Sequence, residues 1–305
     1  RLEGKGSILA TSSEEDYLRT IYELDVERGA VRSVDVAKIL NVSKPSVNKA
    51  LSRLEEEGMV TRLPADAVNV PGSMAIAATG RVRDAYDCAG ITARQLRGIG
   101  VNFNLAPDLD VNSNSMNPVI GVRSFGDDAA RVAELGAQAV RGYGEAGLLC
   151  CGKHFPGHGD TAEDSHTALA VTYKTLDELQ ACELLPFAAD TGLHAVMVGH
   201  IAAPNVTGDV TPATLSPQLV ALIPDAENTL IVTDSLAMDA ITAAYTPGEA
   251  AVQALQAGCD VLLMPNSLPE AYAAVLEAVQ NGTISEERLD RSVNKILLYK
   301  QQFAS

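Results

Sequence analysis

The chain has 305 residues, of which 47% are hydrophobic and 4% aromatic, and it contains no Trp. A core built mainly from Ala, Val, Leu and Ile is therefore expected, as is typical of parallel strands covered by helices. The net charge of −16 is unevenly distributed along the chain. Residues 1–63 hold 10 basic and 11 acidic side chains, so nearly all of the excess negative charge lies in the remaining residues. That larger part will repel nucleic acid at long range, whereas the first segment will not.

Neither an apolar stretch long enough to span a membrane nor a signal peptide is visible in the sequence. We therefore expect a cytoplasmic protein without a membrane partner. The five cysteines form no Cys-x-x-Cys pair and no Cys/His spacing typical of a metal site. The sequence accordingly predicts no bound metal and no cofactor.

Residues 12–62 have the pattern of a small helical unit. Ser12 and Glu15 have the spacing of a capping box ahead of an apolar stripe. A second short helix is predicted before the turn at residues 41–43, and Ser43 is placed to cap a third helix. This spacing is typical of a helix-turn-helix, in which the third helix lies in the major groove of DNA.

The outer face of the third helix carries polar and basic side chains of the kind that reach phosphates and base edges, namely Lys44, Ser46, Asn48, Lys49 and Arg53. The run from Glu14 to Val60 resembles the DNA-binding part of metal-dependent repressors of the diphtheria-toxin-repressor and manganese-repressor type. The resemblance implies DNA as a partner of residues 43–53. A solvated helix surface is the alternative interpretation of the same side chains.

From residue 64 onward, apolar strand-like runs alternate with Ala-rich helical stretches, which is typical of βα repeats. Five strands are predicted: Asn102–Ala106, Leu148–Gly152, Ala195–Gly199, Thr229–Thr233 and Asp260–Met264. The predicted fold class is therefore α/β, with an incomplete (β/α)8 TIM-type barrel over residues 64–305. The small all-α helix-turn-helix unit precedes it over residues 1–63.

Each predicted strand runs into polar residues, and the carboxyl ends of barrel strands are where active sites lie. The strand ends read "NFNLAPDLDVNSNSMNPVIGVRSFGDD", "KHFPGHGDTAEDSH", "VMVGHI", "LIVTDSLAMDAI" and "AGCDVLLMP". In this order they resemble the N-acetylglucosaminidase branch of glycoside hydrolase family 3, from about Pro71 to Gln302. The resemblance implies a β-N-acetylhexosaminidase that removes terminal β-linked N-acetylglucosamine, with a peptidoglycan fragment or muropeptide as the natural substrate.

Retention of configuration requires a nucleophile beneath the anomeric carbon and an acid/base beside the leaving oxygen. Asp234 ends the apolar run "TLIVTD", and the resemblance makes it the nucleophile. The resemblance also makes Asp164 and His166 a dyad. His166 would transfer the proton, because histidine titrates near neutrality, and Asp164 would orient its ring.

Three basic side chains are predicted to bind the sugar. Lys153 and His154 directly follow a predicted strand, as does the sugar-binding Lys-His pair of the family. Arg123 in "GVRSFG" resembles the substrate arginine of the family. Asp110 and His200 are expected to support these residues rather than to react.

Residues 1–70 resemble nothing that precedes this segment in family 3, where about three further βα units are expected. Five parallel strands would leave two open sheet edges. Three interpretations follow: a chimeric reading frame with an inactive half-barrel, which the sequence favours; self-association that completes the barrel; or a regulator that senses sugar. A DNA-binding transcriptional regulator is the main alternative function, and phosphorolysis stays open beside hydrolysis.

Overall fold

A computed structural model describes residues 20–21, 33–43, 46–47, 49–51, 67–162, 169–188 and 192–303. The chain divides into two compact units, Arg1–Ala67 and Val68–Ser305. This division lies close to the domain boundary predicted between residues 63 and 64. No helix within the described residues has the length and apolar character needed to cross a bilayer.

In the first unit, helix α1 spans Ser33–Ile39 and buries Val36 against Val47 in a small apolar cluster. The hydroxyl of Ser43 accepts a hydrogen bond from the backbone N–H of Ser46 at 3.2 Å, so the predicted cap is present. Of the residues predicted to contact DNA, Ser46 and Lys49 are exposed. The other three, Lys44, Asn48 and Arg53, lie outside the described residues.

The described part of the second unit contains six strands: β1 Phe103–Asn104, β2 Leu149–Phe155, β3 Ala170–Val171, β4 Ala195–Val198, β5 Ile201–Ala202 and β6 Leu230–Thr233. Strands β1, β2, β4 and β6 form one parallel sheet in that order, and β3 pairs with β5 in a second parallel sheet. Successive strands of the larger sheet are neighbours, so it winds in one direction, as in a (β/α) barrel. The predicted α/β class is confirmed, and the described residues form no closed barrel.

The predicted fifth strand over residues 260–264 is wrong. In that stretch a single parallel bridge joins Val261 to Val232. The carboxylate of Asp260 accepts the backbone N–H of Ile231 at 3.0 Å, so a side chain takes the place of a ladder carbonyl. Met264 has φ of 45°, which is outside the range of a strand.

Helices alternate with these strands and cover the sheet: α2 Ser73–Ala78, α3 Val82–Gly98, α4 Ala129–Glu145, α5 Leu176–Ala181, α6 Leu185–Ala188, α7 Pro204–Thr207, α8 Pro217–Val220, α9 Asp239–Thr242, α10 Pro247–Ala257, α11 Leu268–Gln280 and α12 Glu286–Phe303. Two short 3-10 turns, Gly121–Arg123 and Ala213–Leu215, lie between them. Apart from the half-buried Lys153, the residues of β2, β4 and β6 are buried, which places the core on both faces of the sheet.

Helix α12 is fixed to the sheet by a buried ion-pair group. Lys295 donates to the carboxylate of Asp260 at 2.9 Å and to the carbonyl of Thr229 at 3.1 Å. Arg288 lies 3.5 Å from the same carboxylate. Each charge is therefore satisfied where burial would otherwise make it costly.

Helices α3 and α4 approach closely at Gly142, and this contact allows a test of the packing. A Cβ atom at this position would lie 2.4 Å from the carbonyl oxygen of Tyr86 and 3.0 Å from the Cβ of Ala89. Gly142→Ala should therefore lower the free energy of unfolding by about 1–3 kcal/mol, because the neighbouring backbone must shift. Urea unfolding followed by circular dichroism measures the change.

The matched control is Gly98→Ala at the end of α3, where an added Cβ meets no atom within 4 Å. This variant should be as stable as the wild type or slightly more stable, because Ala favours helix over Gly by up to about 1 kcal/mol. Equal effects of the two substitutions would contradict the close approach of α3 and α4.

Candidate active site

The carboxyl ends of the parallel strands bring charged side chains together at one edge of the sheet. Asp108 and Asp110 follow β1, and Asp108 forms a parallel bridge with Lys153 on β2. Asp234 follows β6, where its backbone N–H donates to the carbonyl of Val198 at 2.9 Å. Polar residues predicted from separate motifs therefore share one edge.

The carboxylate of Asp110 is fully buried and organises the end of β2. One oxygen accepts from Nδ1 of His154 at 2.7 Å and from its backbone N–H at 3.2 Å. The other oxygen accepts the backbone N–H of His158 at 2.6 Å. Burial raises the pKa of the Asp110 carboxyl, and His158 with these N–H donors acts against that rise. The predicted supporting role of Asp110 thus has a defined geometry.

His154 is buried and serves as a neutral imidazole. Burial lowers its pKa well below the usual value, and the nearby Arg123 guanidinium lowers it further. Because Nδ1 donates its proton to Asp110, Nε2 is left as an acceptor, and it lies 3.5 Å from Nη2 of Arg123. The ring orientation of His154 is therefore set from both sides.

Asp108 lies in the candidate site, although the sequence did not single it out. Its carboxylate lies 3.4 Å from the guanidinium of Arg123, and both side chains are nearly buried. Burial and the neighbouring Asp110 raise the pKa of Asp108 to about 6, although Arg123, His154 and Lys153 act in the opposite direction. The motif "APDLD" contains both carboxylates, two residues apart, and only the second was singled out.

Lys153 lies among charges of both signs. Burial lowers the pKa of its ammonium group, and the like charge of Arg123 lowers it further. Asp108 and Asp234 act in the opposite direction. The predicted sugar-binding residues Lys153, His154 and Arg123 are thus close in space, and their donors surround the carboxylates.

Asp234 is buried at the end of β6, with 6% of its surface exposed. Burial acts to raise the pKa of its carboxyl, but the imidazoles of His154 and His200 and the ammonium group of Lys153 act against it, and the pKa falls below the usual value. The backbone N–H of Ser235 also donates to its Oδ1 at 2.7 Å. The carboxylate is therefore ionised at neutral pH, as a nucleophile must be.

His200 is fully buried and lowers the pKa of Asp234. Its Nε2 donates to the carbonyl of Ser235 at 2.8 Å, and Nδ1 lies 2.7 Å from Oγ1 of Thr214. These contacts tie the end of β4 to the residue that follows Asp234. The arrangement is compatible with the predicted supporting role of His200.

Ligand atoms of Asp108, Asp110 and His154 lie within 4.8 Å of one another, a group that the sequence had not suggested as a metal site. The atoms are already engaged, because Nδ1 of His154 donates to Asp110 and Asp108 faces Arg123. Arg123 and Lys153 supply the positive charge that a cation would bring. We therefore assign no metal to this group.

The predicted dyad, Asp164 and His166, lies outside the described residues. The chain on either side is described. His158, buried at the preceding flank, has its Nδ1 2.7 Å from Oγ1 of Thr161. Strand β3 follows the segment. The roles of Asp164 and His166 stay predictions.

Residues 28–298 match the family described as the glycosyl hydrolase family 3 N terminal domain. The chain is 35% identical to beta-hexosaminidase A of Pseudoalteromonas piscicida, over 81% of this chain and 46% of that protein. It is 34% identical to beta-hexosaminidase LpqI of Mycobacterium tuberculosis, over 82% of this chain and 68% of that protein. A solved structure of a glycoside hydrolase family 3 beta-N-acetylglucosaminidase from Paenibacillus sp. has a TM-score of 0.77 and 40% identity, covering 98% of this chain and 60% of that one.

The family match begins at residue 28, ahead of Pro71, where the sequence placed its start. It therefore overlaps the residues interpreted as a helix-turn-helix and runs across the expected junction between two units. These matches give no support to a repressor relationship. The chain spans about half the length of the Pseudoalteromonas protein.

The raised pKa of Asp108 predicts a pH-dependent stability. The folded-state pKa of about 6 lies above that of an unfolded Asp, about 4, so stability is lost as the pH rises through this window. Asp108→Asn removes the titration. Its stability relative to the wild type should therefore rise between about pH 4 and pH 7, by up to about 3 kcal/mol. Urea unfolding across this pH range measures the difference in the free energy of unfolding. A difference between Asp108→Asn and the wild type that does not change with pH would contradict the raised pKa of Asp108.

Proposed function

Because the chain belongs to glycoside hydrolase family 3, we propose that it removes terminal β-linked N-acetylglucosamine by a retaining double displacement. The observation that supports this most directly is the buried carboxylate of Asp234 at the carboxyl end of β6, whose pKa is held below its usual value by its surroundings, the Lys153 ammonium group among them. The relatives named beta-hexosaminidase and beta-N-acetylglucosaminidase support the same substrate class.

In the first step, the Asp234 carboxylate attacks the anomeric carbon and the glycosidic C–O bond breaks. His166 gives its proton to the departing oxygen, and a glycosyl ester on Asp234 remains. In the second step, His166 takes a proton from water, whose oxygen attacks the same carbon and releases Asp234. Two inversions leave the sugar with its original β configuration.

Asp164 would hold the His166 ring and stabilise the imidazolium that forms when His166 accepts a proton, as the acidic member of a triad does. A histidine suits both halves of the cycle, because its pKa lies near neutral pH. The mechanism needs no metal or cofactor, since all proton and electron-pair movements occur between these side chains, sugar and water.

Sugar binding would fall to the donors around Asp234. Arg123 and Lys153 offer N–H groups to sugar hydroxyls, and the neutral His154 adds the ring nitrogen that does not bind Asp110. Asp108 and Asp110 fix these donors in place rather than contacting the reacting carbon. Such fixed donors favour the transition state, because they need no reorganisation during the reaction.

The natural substrate that we propose is a peptidoglycan fragment carrying terminal N-acetylglucosamine, such as a muropeptide. Phosphate in place of water as the second-step acceptor would give a sugar phosphate instead of free sugar. Comparing the products formed with and without added phosphate separates hydrolysis from phosphorolysis.

Asp234→Asn should abolish release of 4-nitrophenol from 4-nitrophenyl N-acetyl-β-glucosaminide, with kcat falling by about 10⁴-fold or more, because no covalent intermediate can form. The exposed Asp239→Asn, five residues along the chain, is the matched control and should keep wild-type activity. Proton NMR of the wild-type reaction should show the β-anomer of the sugar as the first product.

No turnover by the folded wild-type chain would contradict the proposed function of this chain. Initial release of the α-anomer would contradict the double displacement. Full activity of Asp234→Asn would contradict the role of this carboxylate.

The regulator alternative and self-association stay predictions without support from the relatives. For a DNA-binding role of residues 43–53, the exposed Ser46 and Lys49 are the described contacts to test. Absence of any shift of duplex DNA at low salt would count against it. A monomeric mass in solution, together with turnover, would count against completion of the barrel by a second copy.

A further inference from the structure

A partly buried ion-pair group begins two residues after His158 and consists of residues that have no role assigned above. Nζ of Lys174 lies 2.5 Å from Oε1 of Glu183 and 3.2 Å from Oδ1 of Asp160. Oγ1 of Thr172 donates to the other oxygen of Asp160 at 3.1 Å. We call these four residues, Asp160, Thr172, Lys174 and Glu183, the Lys174 cluster.

The Lys174 cluster joins the two chain flanks of the segment that carries Asp164 and His166. Asp160 belongs to the flank before residue 163, whereas Thr172 and Lys174 belong to the flank after residue 168. Two side chains of the later flank therefore bind one carboxylate of the earlier flank.

The earlier flank is itself fixed to the site. The backbone N–H of His158 donates to Asp110 at 2.6 Å, and the amide of Asn117 donates to the carbonyls of His158 and Thr161 at 2.7 and 2.9 Å. Asn114 donates to the carbonyl of Thr161 at 3.2 Å. The position of residues 158–161 is thus tied to the carboxylate that also orients His154.

The later flank is fixed to a different strand. Ala170 pairs with Ile201 on β5, and the backbone N–H of Thr172 donates to the carbonyl of Ala202 at 2.9 Å. Because β5 directly follows β4, this flank is held relative to the main sheet. The Lys174 cluster then connects two flanks that are anchored independently.

Burying the carboxylate of Glu183 carries a desolvation cost that packing alone does not require. Its side chain is fully buried, and its Oε2 has no hydrogen-bond partner among the described residues. Replacing a buried ion pair by apolar residues is often neutral or stabilising, so stability by itself does not account for the group. The neighbouring Asp160 and Glu183 outweigh the effect of burial and hold the pKa of Lys174 above its usual value.

We propose that Lys174, together with Asp160 and Glu183, is a positioning residue for proton transfer, because it fixes the separation of the two described flanks that precede and follow the segment carrying Asp164 and His166. The proposal rests on the proposed function, in which His166 is the acid/base. The ammonium group of Lys174 binds Asp160 and Glu183, so we expect its effect to be confined to the step that needs His166.

This assignment predicts a dependence on the leaving group. A 4-nitrophenolate departs as a stable anion and needs little protonation, whereas the sugar alkoxide released from N,N′-diacetylchitobiose needs a proton in the transition state. Misplacing the acid therefore slows the second substrate far more than the first. A displacement of about 1 Å is enough to reduce a rate by about 100-fold.

The experiment compares kcat/KM of the full chain on the two substrates, since this constant reports the first chemical step. Lys174→Met should lower kcat/KM for N,N′-diacetylchitobiose by about 10- to 100-fold and leave 4-nitrophenyl N-acetyl-β-glucosaminide nearly unchanged. Lys174→Arg should restore most of the lost kcat/KM. Thr172→Val should also lower kcat/KM for N,N′-diacetylchitobiose selectively, but by a smaller factor than Lys174→Met. His166→Ala is the reference and should show the same pattern, more strongly.

Lys295→Met is the matched control. Lys295 also pairs with a buried carboxylate, Asp260, at 2.9 Å, and it lies on α12, which contributes no residue to the Lys174 cluster. It should lower stability while changing both substrates by the same factor. Urea unfolding of all variants shows that each is folded at the assay temperature.

Equal losses on the two substrates in Lys174→Met, or no loss on either, would overturn the positioning role while leaving the proposed function intact. Selective loss on N,N′-diacetylchitobiose also in Lys295→Met would overturn it as well. A wild-type chain that turns over neither substrate would refute the proposed function, and the positioning role would fall with it.

Discussion

The buried carboxylate of Asp110 is the constraint on which the site depends. It accepts three N–H donors, two from His154 at the end of β2 and one from His158 in the segment that follows. A fully buried carboxylate without these donors would carry a desolvation cost of several kcal/mol. The loop after β1, the Lys-His pair and the flank of the Asp164–His166 segment are therefore positioned by one requirement.

The charges around this carboxylate depend on one another. Burial opposes the ionised form of Asp108, Lys153 and Asp234 alike. The surrounding groups restore it only in part for Asp108 and Lys153, whereas for Asp234 they outweigh the effect of burial. Removing one member changes the proton affinity of the others, because their titrations are coupled. The ionised state of Asp234 is thus a property of the whole cluster within a chain whose net charge is −16.

The Lys174 cluster extends the same principle to the neighbouring segment. Its four residues lie on three stretches of chain. The stretch of Asp160 is held by Asp110 and Asn117, the stretch of Thr172 and Lys174 pairs with β5, and Glu183 accepts a hydrogen bond from the hydroxyl of Ser113 in the loop after β1 at 3.3 Å. Buried polar groups of this kind stabilise little beyond their desolvation cost, but they allow one arrangement of donors and acceptors only. Accurate placement of an acid/base is a function for which such selectivity is useful.

The sequence by itself determined the βα alternation, four of the strands, and the place of Lys153, His154 and Asp234 at strand ends, because apolar periodicity and the position of polar residues after strands are local properties of the chain. Arg123 was predicted from the family resemblance alone. The sequence placed a fifth strand at residues 260–264, where the carboxylate of Asp260 replaces part of the ladder. The sequence did not indicate Asp108, because its place in the site depends on an ion pair with Arg123, fifteen residues further along the chain. Only the tertiary structure decided the ionisation of Asp108, Lys153 and Asp234 and the bridge of Lys174 to Asp160 and Glu183, since proton affinity follows from burial and from neighbours that are distant in sequence.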